Sequence, residues 1–320
     1  MRRVVGLTLT GLGAFFIASA LLLRFYVPGQ VLKFPLNEYI VYTLTGNDLS
    51  YFSKAQLKEL SGVSMRATST VKGVVLAGSS STAVWDEFTA LEDVTNHQPV
   101  EYTFQRSAFD RRTGVVVNCC GAAIGSNKQV RQSGQGFVWP IGTQKKTYQV
   151  FDPILLKPMP FRYAGTATIA GMTAYKFVEQ VSNQRFSQQT LPRSLAGFKG
   201  QGSVTLPEYY TATNTYWVDP VTGSVLAVTK NDRAALEDST GTTRLVVLQG
   251  QVATTPQSNK GAVHAANSGQ TKIRLVQDIG PLVLVLVGIG LVAVGFFLVA
   301  RPRAEEEPPA YDKDPVGSAA

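Results

Sequence analysis

Apolar positions run unbroken at the two ends of the chain and alternate with polar ones in between. Val4 to Leu23 is about twenty residues without a charge, and Ile279 to Ala300 is about twenty-two. Either run is long enough to cross a hydrocarbon core of roughly 30 Å as a helix. The intervening residues are polar enough to form a domain in water. The pattern predicts an N-terminal anchor over 1–26, a β-rich domain over 27–253, a partly helical stalk over 254–278, a C-terminal transmembrane helix over 279–300 and a disordered tail over 301–320. Small residues at Ala18-Ser19-Ala20 also suit a cleaved signal segment, but apolar residues continue through Leu23, which favours an uncleaved anchor.

Short runs rich in Val, Thr, Tyr and Phe, separated by Gly, Pro, Asn or Asp, predict strands from about residue 63 onward. They fall at 71–77, 82–88, 100–106, 114–118 and 147–151, then at 162–169, 174–181, 213–218, 224–230 and 242–252. Tyr175, Phe177 and Val181 share one face of such a strand, with Lys176 and Gln180 on the other. Tyr216 to Leu226 predicts a hairpin: Asp219-Pro220 opens the turn, Gly223 supplies a positive φ, and apolar strands flank it. Ser53 to Leu60 predicts a short helix capped by Ser53. The fold class expected is mainly β: an antiparallel, barrel-like extracytoplasmic sheet flanked by two transmembrane helices, with a few short helices.

Charge sets the expected orientation. Arg2 and Arg3 precede the first run and Arg301 and Arg303 follow the second, which places both termini in the cytoplasm and the central domain outside. Arg24, Lys33, Lys272 and Arg274 on the other flanks weaken that asymmetry. The formal charge is +8, and because the basic start and the acidic tail cancel, the surplus belongs to residues 24–300. It favours membrane lipid with anionic headgroups, or an anionic cell-wall polymer, as a neighbour. No basic run interleaved with aromatics points to nucleic acid.

Candidate chemistry is sparse. Histidine occurs only at His97 and His264, too few for a typical zinc site, and no nucleophile elbow, phosphate loop or dinucleotide fingerprint is present. No catalytic residue, metal or cofactor is expected. Asp86-Glu87 and Glu92-Asp93 read as surface charge, since neighbours on a strand point to opposite faces. Asp110 to Gly114 reads as a polar turn. The only cysteines, Cys119 and Cys120, are adjacent; a vicinal disulfide, two free thiols and bridges to another chain all stay open, with a structural role favoured over redox catalysis.

Several segments in order resemble a porin A-like family known mainly from actinobacteria. They are Pro28-Gly29 and Lys33-Phe34-Pro35 after the first anchor, Asn118-Cys119-Cys120-Gly121, Phe137 to Thr143, and Lys146-Thr147-Tyr148 with Phe151-Asp152-Pro153. Tyr163 to Thr166, Gly171, Tyr175-Lys176-Phe177 and the hairpin from Tyr216 to Gly223 complete the set. The resemblance covers nearly the whole chain and implies a cell-envelope protein, with channel activity for at least one member. Two smaller pieces are similar to lipoprotein-carrier domains, and the twin-anchored plan is similar to that of scavenger receptors with a lipid tunnel.

Three functions follow as expectations. The first is a tethered domain that binds or passes lipid or another apolar ligand, with Phe137, Trp139, Tyr163, Phe177, Tyr216 and Trp217 as candidate lining. The second is a channel-forming, porin-like protein. The third is a wall-associated scaffold.

Overall fold

The computed structural model describes residues 2–300, so the expected tail lies outside the described residues. The chain divides into two compact units: Gly29–Ile273, and the segments before and after it.

The terminal unit is a helical pair. Helix α1 spans Arg2–Phe25, the short α2 spans Val27–Val31, and the last helix among the described residues spans Gly280–Ala300 behind a π-helical turn, Leu275–Ile279. Their contact is built from small residues at seven-residue spacing. Gly6, Gly13 and Ala20 are the buried positions of α1, and Pro281, Gly288 and Gly295 those of the last helix. The pairing is antiparallel: a Cβ on Gly13 would lie 2.6 Å from the Gly288 carbonyl, and one on Gly6 would lie 2.8 Å from that of Gly295. Lipid gives no hydrophobic drive for two apolar helices to associate, so close backbone approach supplies the contact. Arg24 pairs with Asp278 at one end of this pair.

The larger unit is one antiparallel sheet. Its strands are β1 (Tyr39–Ser53), β2 (Lys58–Gly73), β3 (Thr82–Asp93), β4 (Gln98–Asp110), β5 (Val116–Val117), β6 (Ala123–Ile124), β7 (Tyr148–Asp152), β8 (Lys157–Ile169), β9 (Met172–Pro192), β10 (Ser203–Val218), β11 (Val225–Glu237) and β12 (Thr243–Thr254). They lie in the order β5-β4-β3-β2-β1-β12-β11-β10-β9-β8-β7, with β6 pairing β4. The sheet is a curled half-barrel, mainly antiparallel β as the alternation predicts. Helix α3 (Pro256–Arg274) covers part of its outer face, packing Val263 and Ala266 against Met172, Ala174, Leu226 and Trp217.

A strap joins the two edges of the sheet. Residues 134–136 hydrogen-bond on one side to Gly114 and to Val116 of β5, and on the other to Gln149 and Phe151 of β7. Gln135 itself bridges both Val115 and Val150.

One turn chemistry recurs at four of the strand junctions. Ser53, Asp93, Asp152 and Asp219 each accept a hydrogen bond from a backbone N–H two or three residues on, and the fourth residue beyond each has positive φ: Leu57, His97, Leu156 and Gly223. Side-chain capping of this kind closes a turn without helical continuation. It also corrects the expected helix at Ser53 to Leu60. Ser53 caps a turn there, and Leu49, Tyr51, Val63 and Met65 bury at period two on either side of it. The expected start of β structure near residue 63 is likewise too late, because β1 was masked by a bulge around Gly46 to Leu49. The 71–77 strand ends at Gly73 and gives way to a single 3-10 turn, Val75–Ala77. Within the expected stalk over 254–278, Pro256–Arg274 is helical, in α3.

Candidate functional site

Directly paired residues share a face of a sheet, so the register identifies everything that lines the concave side. Across β9, β10 and β11 the row reads Glu179, Asn214, Lys230. Asp232 follows two residues after Lys230, and Tyr216 lies two after Asn214. On β1, β2 and β3 the same side carries Tyr42, Ser69, Thr89 and Glu87. These polar positions are flanked by apolar layers. Leu49, Tyr51, Val63 and Met65 pack together on β1 and β2, whereas Trp139, Tyr148, Phe161 and Phe177 pack around β7 to β9.

Hydrogen bonds tie the row together across strands. Tyr42 Oη donates to Glu87 Oε1 at 2.5 Å. Ser69 and Thr89 share a hydroxyl bond of 2.6 Å, Asn214 Nδ2 donates to Glu179 Oε2 at 2.7 Å, and Tyr210 Oη donates to Asp232 Oδ1 at 2.9 Å. The outer face is built differently. There Lys72, Asp86 and Arg106 follow one another across β2, β3 and β4, and Arg106 grips Asp86 through Nε at 2.6 Å and Nη2 at 2.7 Å. The adjacent carboxylates Asp86 and Glu87 therefore serve opposite faces. Expecting both as surface charge is corrected for Glu87, which faces inward. The same correction applies to Asp93, which is fully buried, accepts from Tyr51 and closes the β3–β4 turn.

Enclosure shifts the titration of this interior. Burial raises the Glu179 carboxyl to about 7, with Asp152 and Asp232 adding to the rise and the bond from Asn214 and the charge of Lys230 opposing it. Burial also raises Asp232. The phenols of Tyr42, Tyr210 and Tyr216 all rise, chiefly through burial. Lys230 is held protonated by its closeness to Tyr216 first, then by Asp232, Glu87 and Asp152, against the cost of burial. Lys230, Tyr42 and Tyr216 keep part of their surface accessible. Such side chains line the concave face rather than a tight core.

The six aromatics expected to line a ligand cavity fall in three places. Trp139, Tyr163, Phe177 and Tyr216 share one cluster, where the rings of Trp139 and Phe177 lie 4.3 Å apart and those of Tyr163 and Phe177 5.9 Å apart. Phe137 packs instead with Trp85 and Phe109, and Trp217 points to the outer face under α3. Cys119 and Cys120 are disulfide-bonded to each other in the exposed segment after β5. His97 is a turn residue with positive φ, and no group of three His, Cys, Asp or Glu converges among the described residues.

The ionisable row was missed in the sequence, although a signal for it exists. Glu179 lies in phase with Tyr175, Phe177 and Val181, and Lys230 and Asp232 lie in phase with Val228 and Ala234. A charge at an apolar register position marks an inward-facing polar group.

Comparison with known proteins gives one family. The model described as Porin PorA matches residues 5–297. No curated protein matches the chain.

Proposed function

The chain belongs to the Porin PorA family, and we propose that it is a membrane-tethered, channel-type protein of the cell envelope whose curled sheet offers small hydrophilic solutes a polar interior. The observation that carries this reading is the concave row of Tyr42, Glu87, Glu179, Tyr216, Lys230 and Asp232. A surface made to hold acyl chains has no use for three acids and an ammonium at its centre, since each buried charge costs free energy unless it is paired or solvated.

The strands do not cross the membrane in this reading. A lipid-facing barrel needs an apolar outer band, and the outer row here holds Lys72, Asp86 and Arg106. Crossing falls to α1 and the last helix, with both termini cytoplasmic and the sheet outside. The glycine seam leaves no lumen between those two helices. A continuous path across the bilayer therefore needs the helices of several copies.

Binding of an apolar ligand has less behind it, because Trp139 and Phe177 are buried against each other. Attraction of anionic lipid or wall polymer to the basic domain is a separate expectation, and salt-sensitive retention on isolated cell wall would test it. The central test is conductance of the purified full-length protein in planar bilayers. Stepwise conductance that rises with protein concentration is expected. A protein that inserts and conducts nothing at any concentration overturns the reading.

A further inference from the structure

One corner of the larger unit, where the chain enters it, combines exposed apolar side chains with cations that form no ion pair. Three segments are clipped together there. Phe34 N–H donates to the Arg111 carbonyl, Arg111 Nε donates back to the Phe34 carbonyl at 2.7 Å, and Arg111 N–H donates to the Ser81 carbonyl. Lys33 Nζ donates to the Ser80 carbonyl at 3.2 Å. Residues 33–38, the β2–β3 loop and the turn after β4 therefore form one surface. Strand directions agree, since β1 and β3 start there and β2 and β4 end there.

The side chains of this corner are of two kinds. Leu76, in the 3-10 turn of the β2–β3 loop, is fully exposed, and Val75 beside it is exposed as well. Tyr39, paired with Lys72 just before that loop, is 67% exposed. Apolar groups gathered in water at a fixed loop mark a contact surface. With them stand Lys33, Arg111 and Arg112, none in an ion pair among the described residues. The nearby carboxylates are engaged with backbone. Asp110 Oδ1 accepts from the N–H groups of Arg112 and Thr113, and Glu38 Oε1 accepts from that of Tyr39.

Position along the chain names the partner. Gly29 lies against Arg112, whose Nη2 would be 3.1 Å from a Cβ placed on that glycine. Gly29 follows Phe25, the end of α1, by four residues, which span at most about 14 Å. The chain itself thus keeps this corner close to where the first apolar helix ends. Cations beside an apolar tip suit the boundary of an anionic bilayer, where phosphates meet the cations and the leucine enters the acyl layer. We propose that this corner, Leu76 with Lys33, Arg111 and Arg112, is a docking surface for an anionic lipid bilayer, the one that holds the chain's own anchors. It is too small to hold a free domain, but the anchors make the contact intramolecular, at an effective concentration of roughly millimolar. The surface rests on the sheet lying outside the bilayer, as proposed above, and it requires no conduction.

The test uses the full-length chain in vesicles, in a Cys119→Ser/Cys120→Ser background, with a nitroxide on Leu76→Cys or on Ala55→Cys at the far end of β1. Accessibility to oxygen relative to a water-soluble nickel chelate reports whether the label lies in lipid. In vesicles of phosphatidylglycerol and phosphatidylcholine, the label at Leu76 should favour oxygen several-fold more than the one at Ala55. In phosphatidylcholine alone, or with Lys33→Gln/Arg112→Gln added, that preference should fall. Hydrogen exchange on the unmodified chain gives a second readout. Amides of 75–81 should slow several-fold between zwitterionic and anionic nanodiscs, and those of 54–57 should not. Equal preference at the two labels, or full preference in phosphatidylcholine or in Lys33→Gln/Arg112→Gln, overturns the surface. A preference that grows with the protein-to-lipid ratio assigns the tip to a second copy and overturns it too. Docking without bilayer conductance sinks the channel reading alone, and conductance with the Leu76 label in water sinks this surface alone. A label in lipid at Ala55 sinks the placement of the sheet as well.

Discussion

Tyr42 on β1 donates its phenol hydrogen to Glu87 on β3, although β2 lies between their two strands. The bond spans the concave side of the sheet and fixes a carboxylate that would otherwise face the interior without a donor. Tyr42→Phe removes the donor and keeps the ring. The expected cost is about 1–3 kcal/mol of stability, the penalty for stranding a buried polar group. A lowered urea midpoint with an unchanged slope would register it. Full stability in Tyr42→Phe would mean that Glu87 finds another donor.

Glu179 makes stability depend on pH in a direction opposite to most carboxylates. Its folded value is about 7, above the ordinary 4.5, so the folded state binds this proton more tightly than the unfolded chain. The contribution is fully present below about 4.5, declines as pH rises, and is lost above about 7. At 1.36 kcal/mol per unit, the whole effect is at most about 3 kcal/mol. Glu179→Gln should flatten this part of the profile. The difference between the two unfolding curves across pH 4 to 8 isolates it from Asp93 and Asp110, whose lowered values act at more acidic pH.

Gly223 closes the hairpin that the sequence marks most plainly. It has φ +75°, and a Cβ there would collide with the Trp139 carbonyl, while its own carbonyl accepts from Trp139 N–H at 3.1 Å. Gly223→Ala should therefore cost about 1–3 kcal/mol through backbone strain and loosen the aromatic cluster around Trp139. Near-UV circular dichroism together with the urea midpoint checks both effects.

The helical pair depends on its glycines. Gly13→Leu overpacks the seam against Gly288, with an expected penalty of about 1–3 kcal/mol. Arg24 and Asp278 are in contact at one end of the pair, so cysteines placed at these two positions should cross-link readily in a Cys119→Ser/Cys120→Ser background. The same pair should cross-link markedly more slowly once Gly13→Leu is added. Equal rates would show that the seam does not hold the helices together.

Two physical signals made much of this architecture legible. Long apolar runs and period-two alternation need no context, and they gave the two helices and, usually too short, β3 to β5 and β7 to β12. Strand β1 and most of β2 escaped because Asn47-Asp48 looks like a loop, and only their pairing shows it to be a bulge. Leu57, His97 and Leu156 hid three turns by taking a backbone conformation that a reader expects of glycine. The interior row was hidden for another reason. Glu179 and Lys230 look like surface charges until curvature turns their face inward, and curvature is a property of the whole sheet. Aromatic content marked Trp139, Phe177, Tyr163 and Tyr216 as neighbours, but it does not distinguish rings that enclose a space from rings that fill one.

The strap at Gln135 also governs how copies of this protein meet. An open sheet offers a row of bare N–H and C=O groups at each border, ready to recruit the strand of a neighbouring molecule. Here the borders beside β5 and at β7 are spent on the same short segment of their own chain. At that level no border is left to template fibre growth. Crowding then favours association through side chains of the outer face or through helices, and such assemblies can separate again without unzipping a backbone ladder.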